Sequence, residues 1–461
     1  MDFSAANTSL WDIVIQFGAI AAGIVLANIL RRKVAFVRGS LMPTAVLAGF
    51  LLLLLRSVGI FSLNLEVLEM ITYHGIALGF IAMSLRVNHR EDSPKGDHTG
   101  LKSGALIVGS YLIQGVAGLA ITITLGYTLM PELFKAAGIL LPMGYGQGPG
   151  QANNVGGTYE AMGFVGGRSF GLSIAASGYL VACVVGVIVL NVLIRQGKLR
   201  RASHDERSGS ATVDTFQDVG EIPISESLDK FSMQAALVIL VYLVTFLVTK
   251  GLTAGLSAVS PGLGATVNSL LWGFNFIIGS ALAMLLCVVL KNLRKIKLIT
   301  RQYQNNYLLS RLSGFCFDLM IVAGIASIEI SDLSGLWLPF ILMSIAGTVV
   351  TWFYLARLCK TIYPGYYYEG LMSMYGMMTG TISSGILLLR EIDPNYETPA
   401  ANNLVLGSSF GIIFGMPVLV LVSLAPRSNL FCIITLGLCA LYFGVLMLII
   451  HKLNRAAGRK T

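Results

Sequence analysis

The chain alternates between long apolar runs and short polar or basic segments along its whole length. A run of about 20 apolar residues is long enough to cross a bilayer as a helix. Such runs fall near residues 11–30, 42–60, 66–85, 103–129, 168–194, 232–250, 265–290, 306–328, 335–356, 401–424 and 429–450. The pattern predicts about eleven membrane spans, and therefore an all-α polytopic membrane protein.

Two polar, glycine-rich segments interrupt this pattern, one in each half of the chain. They are Gly144–Asn154 and Met374–Ser384, and an alignment without a gap matches a Tyr-Gly pair and a later glycine in both. At membrane depth, irregular backbone is tolerated only where it is buried in protein or lines a water-filled cavity. The sequence therefore predicts a re-entrant hairpin near residues 138–165 and another near residues 366–390.

Composition and charge agree with a protein whose main partner is the lipid bilayer. Only 12% of the 461 residues are charged and 55% are hydrophobic, whereas a soluble domain has about 25% charged residues. The formal net charge of +9 arises from short basic clusters between the apolar runs, so it does not indicate a nucleic-acid partner. The clusters lie at 31–38, 86–102, 195–207, 291–301, 357–360 and 452–460. All of them fall on one side of the membrane if the N-terminus is outside and the C-terminus inside.

The order of the runs predicts an internal repeat. Five spans precede the polar stretch 196–230 and five follow it, so the second half enters the membrane from the opposite side. We expect two inverted five-helix repeats, each with one re-entrant hairpin, at residues 1–195 and 231–425. The stretch 196–230 is predicted to be a cytoplasmic linker, and residues 426–461 an extra C-terminal helix with a basic cytoplasmic tail.

Motifs for other classes of function are missing from the sequence or lie in an unsuitable context. There is no G-x-x-x-x-G-K-[ST] motif for nucleotide phosphates, and no His/Cys cluster with metal-ligand spacing. The pattern G-x-S-x-G occurs at 167–171 and 407–411, but both copies lie in predicted membrane helices and not at a strand-to-helix turn. We therefore do not expect an enzyme.

The two glycine-rich segments carry the candidate chemistry. Two related breaks in corresponding halves of a membrane protein point to the binding site of a secondary transporter. Glycines let backbone groups approach a ligand, and exposed N–H groups at a helix start favour a small anion. The predicted substrate-binding residues are Tyr145, Gly146, Gln147, Gly148, Gly150, Gln151, Tyr375, Gly376, Thr379, Gly380 and Thr381. The predicted ligands of a coupling Na⁺ ion are Asn153, Asn154, Ser383, Ser384 and Asp318.

Asp318 lies near the middle of the run 306–328, where an unpaired carboxylate costs about 3 kcal/mol or more. Cation coordination or proton coupling is one interpretation of this residue. The other is a buried ion pair, for which Arg311 is too far along the same helix to be the partner. The sequence leaves both interpretations open.

The order of spans, the loop Gly144–Asn154 before the fifth span and the loop 375–385 before the tenth resemble the bacterial sodium–glutamate symporter family. The resemblance covers about residues 10–424. It implies a homodimer in the bacterial inner membrane, with a scaffold part and a mobile part in each protomer and elevator-type alternating access. It also implies Na⁺-coupled uptake of glutamate or a related carboxylate or amino acid. The first loop departs from the Gly-Gly-His-Gly-Thr-Gly pattern usual in that family.

Two other functions fit the same pattern of spans. One is an organic-anion transporter coupled to H⁺, in which Asp318 would be the titrating residue. The other is an uncoupled, channel-like or lipid-moving protein on the same scaffold. Transporters saturate and depend on their coupling ion, whereas an uncoupled pore does not.

Overall fold

The structure of the chain, a computed structural model, describes residues 4, 6–35, 37, 42–86, 98–199, 230–259, 271–273, 275–299, 301–393 and 397–458. It is 83% helical, and the described residues contain no strand. The prediction of an all-α protein is therefore confirmed.

The helices follow the apolar runs of the sequence. In the first half they are α1 (Thr8–Lys33), α2 (Thr44–Ser57), α3 (Leu65–Ser84), α4 (Thr99–Tyr127), α5 (Leu140–Tyr145), α6 (Pro149–Glu160) and α7 (Gly167–Arg195). In the second half they are α8 (Lys230–Val259), α9 (Asn275–Lys295), α10 (Asn306–Ala326), α11 (Trp337–Ile362), α12 (Tyr367–Thr379), α13 (Ile382–Arg390), α14 (Ala400–Leu424) and α15 (Asn429–Gly458). A short 3₁₀ helix, Lys135–Ile139, precedes α5.

Ten helices in the described part of the chain are long and apolar enough to cross a membrane, which makes this a multi-pass membrane protein. The predicted span 42–60 is the exception, because its helix α2 has only 14 residues. A helix of that length rises about 21 Å, less than the roughly 30 Å of a hydrocarbon core. It is bounded by Pro43 and by Gly59, whose φ of +76° does not continue a helix.

The chain divides into two compact units. The larger contains Met1–Glu69, Pro94–Gly209 and Ile321–Thr461, and the smaller contains Met70–Ser93 and Ser210–Met320. Each unit therefore draws segments from both sides of the predicted linker 196–230. Residues 200–229 of that linker lie outside the described residues, so its role stays a prediction.

In the larger unit, each glycine-rich segment forms two short helices in place of one spanning helix. The first pair is α5 and α6, joined by the turn 146–148, and the second is α12 and α13, joined by the turn 380–381. Leu190 and Leu193 of α7 form one hydrophobic cluster with Met372 of α12 and Leu388 of α13. Helix α4 packs against α11, α14 and α15.

The smaller unit has a core of its own. Helices α3, α8, α9 and α10 contribute to it, and its buried members are Ile81, Ala82, Leu85, Val238, Val241, Ala283 and Leu309. A polar contact also joins α3 and α9, since Nδ2 of Asn275 donates to the hydroxyl of Tyr73 at 2.8 Å. The glycine-rich segments lie in the larger unit.

Candidate functional site

The turns of the two broken segments meet. A β-carbon built on Gly148, in the first turn, would lie 3.5 Å from Cγ2 of Thr381 and 4.0 Å from the carbonyl oxygen of Gly380 in the second turn. The hydroxyl of Tyr179, on α7, would lie 3.7 Å from the same β-carbon. The turns 146–148 and 380–381, which we call the paired turns, therefore adjoin each other beside α7.

Helix α7 touches both broken segments through small residues. A β-carbon on Gly178 would overlap the carbonyl oxygen of Thr379 and would lie 3.1 Å from Cδ2 of Tyr145. Where α5 meets α7, a β-carbon on Gly144 would lie 2.8 Å from the backbone nitrogen of Ala175. Small residues let membrane helices approach this closely. The backbone of α7 thus fixes the ends of α5 and α12 next to each other.

Two helix N-termini point into the paired turns. Gly148 is the N-cap of α6, and Thr381 is the N-cap of α13. Neither helix has a side-chain hydrogen bond at its N-cap. The first N–H groups of a helix have no partner within the helix, and they carry a partial positive charge. Together the two N-termini form a site suited to a small anion.

Residues in the two broken segments have buried polar atoms without a hydrogen-bond partner. Among the described residues they include both amide atoms of Gln151, Oδ1 of Asn153, Oη of Tyr375, Oγ1 of Thr381 and Oγ of Ser384. Gln151 is 1% exposed, Asn153 5% and Ser384 3%. Leaving such a group unpaired costs about 1–3 kcal/mol, and native proteins contain few of them. Several in one place are expected where a polar ligand completes the hydrogen bonds.

Some predicted substrate-binding residues make packing contacts instead. The hydroxyl of Tyr145 donates to the carbonyl oxygen of Ser344 on α11 at 2.8 Å. The hydroxyl of Thr379 donates to the carbonyl oxygen of Tyr375 at 2.8 Å. A β-carbon on Gly376 would lie 2.8 Å from the backbone of α13. These residues shape the turns and hold α5 and α12 in place.

The other residues predicted from the first segment lie in or beside its turn. Gly146 and Gly150 are buried, and Gln147 is partly exposed. Asn154 is buried in α6, 7% exposed. All of them share the larger unit with the second turn.

For two of the predicted cation ligands, Ser383 and Asp318, the assignment stays a prediction. The side chain of Ser383 lies outside the described residues, and Asp318 belongs to the smaller unit, on an exposed face of α10. In the described part of the chain, no group of three or more His, Cys, Asp or Glu residues is placed to hold a metal ion. A cation at the paired turns would therefore be bound by amide, hydroxyl and carbonyl oxygens, which suit a hard ion.

Sequence reasoning missed Gln114 of α4 and Tyr179 of α7. Nε2 of Gln114 donates to the carbonyl oxygen of Met378, in the last turn of α12, at 3.0 Å. The side chain of Tyr179 lies against both turns, with its hydroxyl 3.7 Å from a β-carbon built on Gly148 and Cδ1 3.1 Å from one built on Gly380. A signal for Gln114 exists in the sequence, because a glutamine within the apolar run 103–129 needs a polar partner. Tyr179 has no such signal, since tyrosine is common in apolar helices.

Charged side chains of the first segment lie at its far end. Arg168 forms ion pairs with Glu69 and with Glu160, the latter at 3.3 Å between Nε and Oε2. Its backbone N–H also donates to Oε1 of Glu160 at 3.0 Å. Glu160 ends α6, about 16 Å along the helix from Pro149. The polar groups at the paired turns themselves are uncharged.

The arrangement can therefore bind a small polar ligand between helix ends without a charged side chain. No model of a known protein family matches the chain, and no curated protein matches it.

Gly148→Ala is expected to lower the melting temperature of the purified protein. Gly148 has φ +87° and ψ −174°, a conformation that costs other residues about 1–3 kcal/mol. The new methyl group would also lie 3.5 Å from Thr381. Gly437→Ala is the control, because that glycine lies within α15 with open space around it. Equal melting temperatures for the two variants would show that the first turn does not need a glycine.

Proposed function

We propose that this chain is a secondary transporter of the bacterial inner membrane, and that it takes up glutamate or a related carboxylate or amino acid together with Na⁺. The observation that carries the proposal is that two helix breaks meet, and that residues in these breaks and next to them in the chain have buried polar atoms without a partner among the described residues. Discontinuous helices that meet in this way are the usual binding site of secondary transporters.

The anionic part of the substrate is bound by the N-termini of α6 and α13. Their unpaired N–H groups and dipoles supply positive potential where the paired turns have no basic side chain. The amide of Gln151, one residue beyond Gly150, contributes a donor and an acceptor, and the hydroxyl of Thr381 contributes another of each. A carboxylate or an amino acid presents the complementary groups.

The Na⁺ ion travels with the substrate as a second cargo. Oδ1 of Asn153 and Oγ of Ser384 are buried acceptor atoms without a partner among the described residues. Both are neutral oxygens, which suit a hard monovalent cation, and the C-terminal end of α12 adds negative potential nearby.

The wider architecture belongs to the same proposal. In both halves of the chain a long helix, a broken segment and a second long helix follow one another: α4, α5–α6 and α7, then α11, α12–α13 and α14. This order supports a repeat in the two halves. Two inverted five-helix repeats, with the N-terminus outside and the C-terminus inside, further require that the 14-residue helix α2 crosses the membrane. The homodimer and the elevator-type movement rest on the resemblance to sodium–glutamate symporters.

Uptake into proteoliposomes tests the proposal. The purified chain is reconstituted and offered labelled glutamate, other dicarboxylates, monocarboxylates and neutral amino acids, with a Na⁺ gradient, with a pH gradient and with neither. We expect saturable uptake of at least one of these acids that requires inward Na⁺. If none of these acids or neutral amino acids is taken up under any gradient, the proposal is wrong.

The other gradients in that experiment distinguish the alternative functions. Uptake driven by the pH gradient alone would favour an H⁺-coupled organic-anion transporter. One observation favours that alternative: Asp318 has an exposed side chain on the membrane helix α10 and forms no ion pair within the described residues. Flux that neither saturates nor responds to a gradient would indicate a channel-like or lipid-moving protein.

A further inference from the structure

Two further polar side chains form a buried pair on one face of α4. Ser110 and Gln114 are four residues apart, so they are neighbours on the helix surface. Both are 0% exposed. Oγ of Ser110 and Oε1 of Gln114 have no hydrogen-bond partner within the described part of the chain. Each is an oxygen that can accept, buried where water does not reach from outside.

The orientation of the Gln114 amide is fixed by its neighbours. Its Nε2 donates to the carbonyl oxygen of Met378 at 3.0 Å and to Oγ1 of Thr351 at 2.8 Å. A carbonyl oxygen can only accept, so the NH₂ group must be the end that faces Met378. The amide oxygen of Gln114 is therefore the free end, and it requires a donor or a cation.

Ser110 differs from the serines and threonines around it. A buried serine in a helix usually donates to the carbonyl oxygen four residues earlier, as Ser103 does to Thr99 at 2.8 Å on the same helix. The corresponding acceptor for Ser110 is the carbonyl oxygen of Leu106, which accepts the hydroxyl of Tyr354 at 3.0 Å. The hydroxyl oxygen of Ser110 is thus left available.

The surroundings of this pair favour positive charge. Met378 lies in the last turn of α12, where the helix has a partial negative charge and carbonyl oxygens without partners in the helix. The named side-chain ligands are neutral, whereas divalent ions are usually held by carboxylates. Neutral oxygens beside a helix C-terminus suit a small monovalent cation.

We infer that Oγ of Ser110, Oε1 of Gln114 and the carbonyl end of α12 bind a Na⁺ ion. Its side-chain ligands differ from Asn153 and Ser384, and its role as a coupling site rests on the proposed function. Gln114 would then link the ion to the second of the paired turns, because the same amide holds Met378, two residues before Gly380. An ion that stabilises this turn would raise the affinity for substrate, and substrate would raise the affinity for the ion by the same factor.

Direct binding of ²²Na⁺ to the purified full-length chain in detergent tests the inference without any transport step. We expect Ser110→Ala to weaken Na⁺ binding by at least about tenfold. We also expect NaCl, compared with choline chloride, to raise the melting temperature of the wild type much more than that of the variant. In choline chloride the variant should melt no lower than the wild type, because the lost hydroxyl has no partner among the described residues.

Two other variants sharpen the test. Ser110→Cys keeps the volume and replaces a hard oxygen with a soft sulfur, so it should lose Na⁺ binding as Ser110→Ala does. Ser103→Ala is the matched control on α4, because Oγ of Ser103 is bonded to Thr99 and to Tyr363. It should melt at a lower temperature and bind Na⁺ as the wild type does.

The outcomes separate this inference from the proposed function. If both Ser110 variants bind Na⁺ with wild-type affinity, the inference is overturned, even if uptake is coupled to Na⁺. That result is expected if a buried water, and not an ion, occupies this place. Loss of Na⁺ binding in both variants and not in Ser103→Ala supports it, even if no acid is taken up in proteoliposomes. A wild-type chain that binds no Na⁺ overturns it as well.

Discussion

Gln151→Met is expected to reduce uptake by at least about tenfold and to leave the folded protein as stable as the wild type or more so. Both amide atoms of Gln151 lack a partner among the described residues, and the side chain is 1% exposed. Methionine has a similar volume and no group that needs a hydrogen bond, so the change removes an unpaired amide that costs about 1–3 kcal/mol. If the amide serves a ligand, binding is lost while stability is kept.

Uptake and melting temperature are measured on the same preparations. Gln234→Met is the matched control, since Gln234 is also 1% exposed but its Nε2 donates to the carbonyl oxygen of Tyr303 at 2.8 Å. That variant should lose stability and keep uptake per folded molecule. Unchanged uptake by Gln151→Met would remove Gln151 from the binding site.

Gly178→Ala is expected to impair both uptake and stability. The new methyl group would overlap the carbonyl oxygen of Thr379, at the end of α12, and would press on the ring of Tyr145 at 3.1 Å. A backbone carbonyl cannot rotate away, so α7 must separate from the second broken segment. Overpacking of this kind costs about 1–3 kcal/mol. The paired turns would move apart, and we expect uptake to fall by at least about tenfold.

Gly186→Ala is the control for this variant, because it places the same methyl group two helical turns further along α7. There the nearest atom is Cδ1 of Leu388 at 2.8 Å, the end of a flexible side chain that can change rotamer. Its effect on uptake and on the melting temperature should be small. Equal effects at the two positions would show that the contact between α7 and α12 has no special role.

The sequence predicts the helices well, because about 20 apolar residues in a row have few alternatives in a membrane. The run 42–60 shows the limit of this rule. Its apolar residues extend past both ends of α2, and the helix is set by Pro43 and Gly59. Hydropathy measures composition, whereas helix ends depend on backbone conformation.

The candidate site is only partly readable from the sequence. Glycines and polar residues marked both broken segments, and Gln151, Asn153, Thr381 and Ser384 have buried polar atoms without a partner among the described residues. Tyr145 carried the same signal, yet its hydroxyl binds α11. Which polar group faces a ligand depends on contacts between helices that are distant in the chain, and local pattern does not encode them.

The two broken segments carry no formal charge, which limits the work that a membrane potential can do on them. From Gly144 to Asn154 and from Met374 to Gly385 there is no formally charged side chain. Moving one elementary charge across 100 mV changes the free energy by about 2.3 kcal/mol. In the proposed transporter, the charge that the two segments move across the membrane would therefore be the net charge of what they bind. A membrane potential would act on the loaded site only in proportion to that net charge, and it would not act on the formally uncharged segments of an empty site.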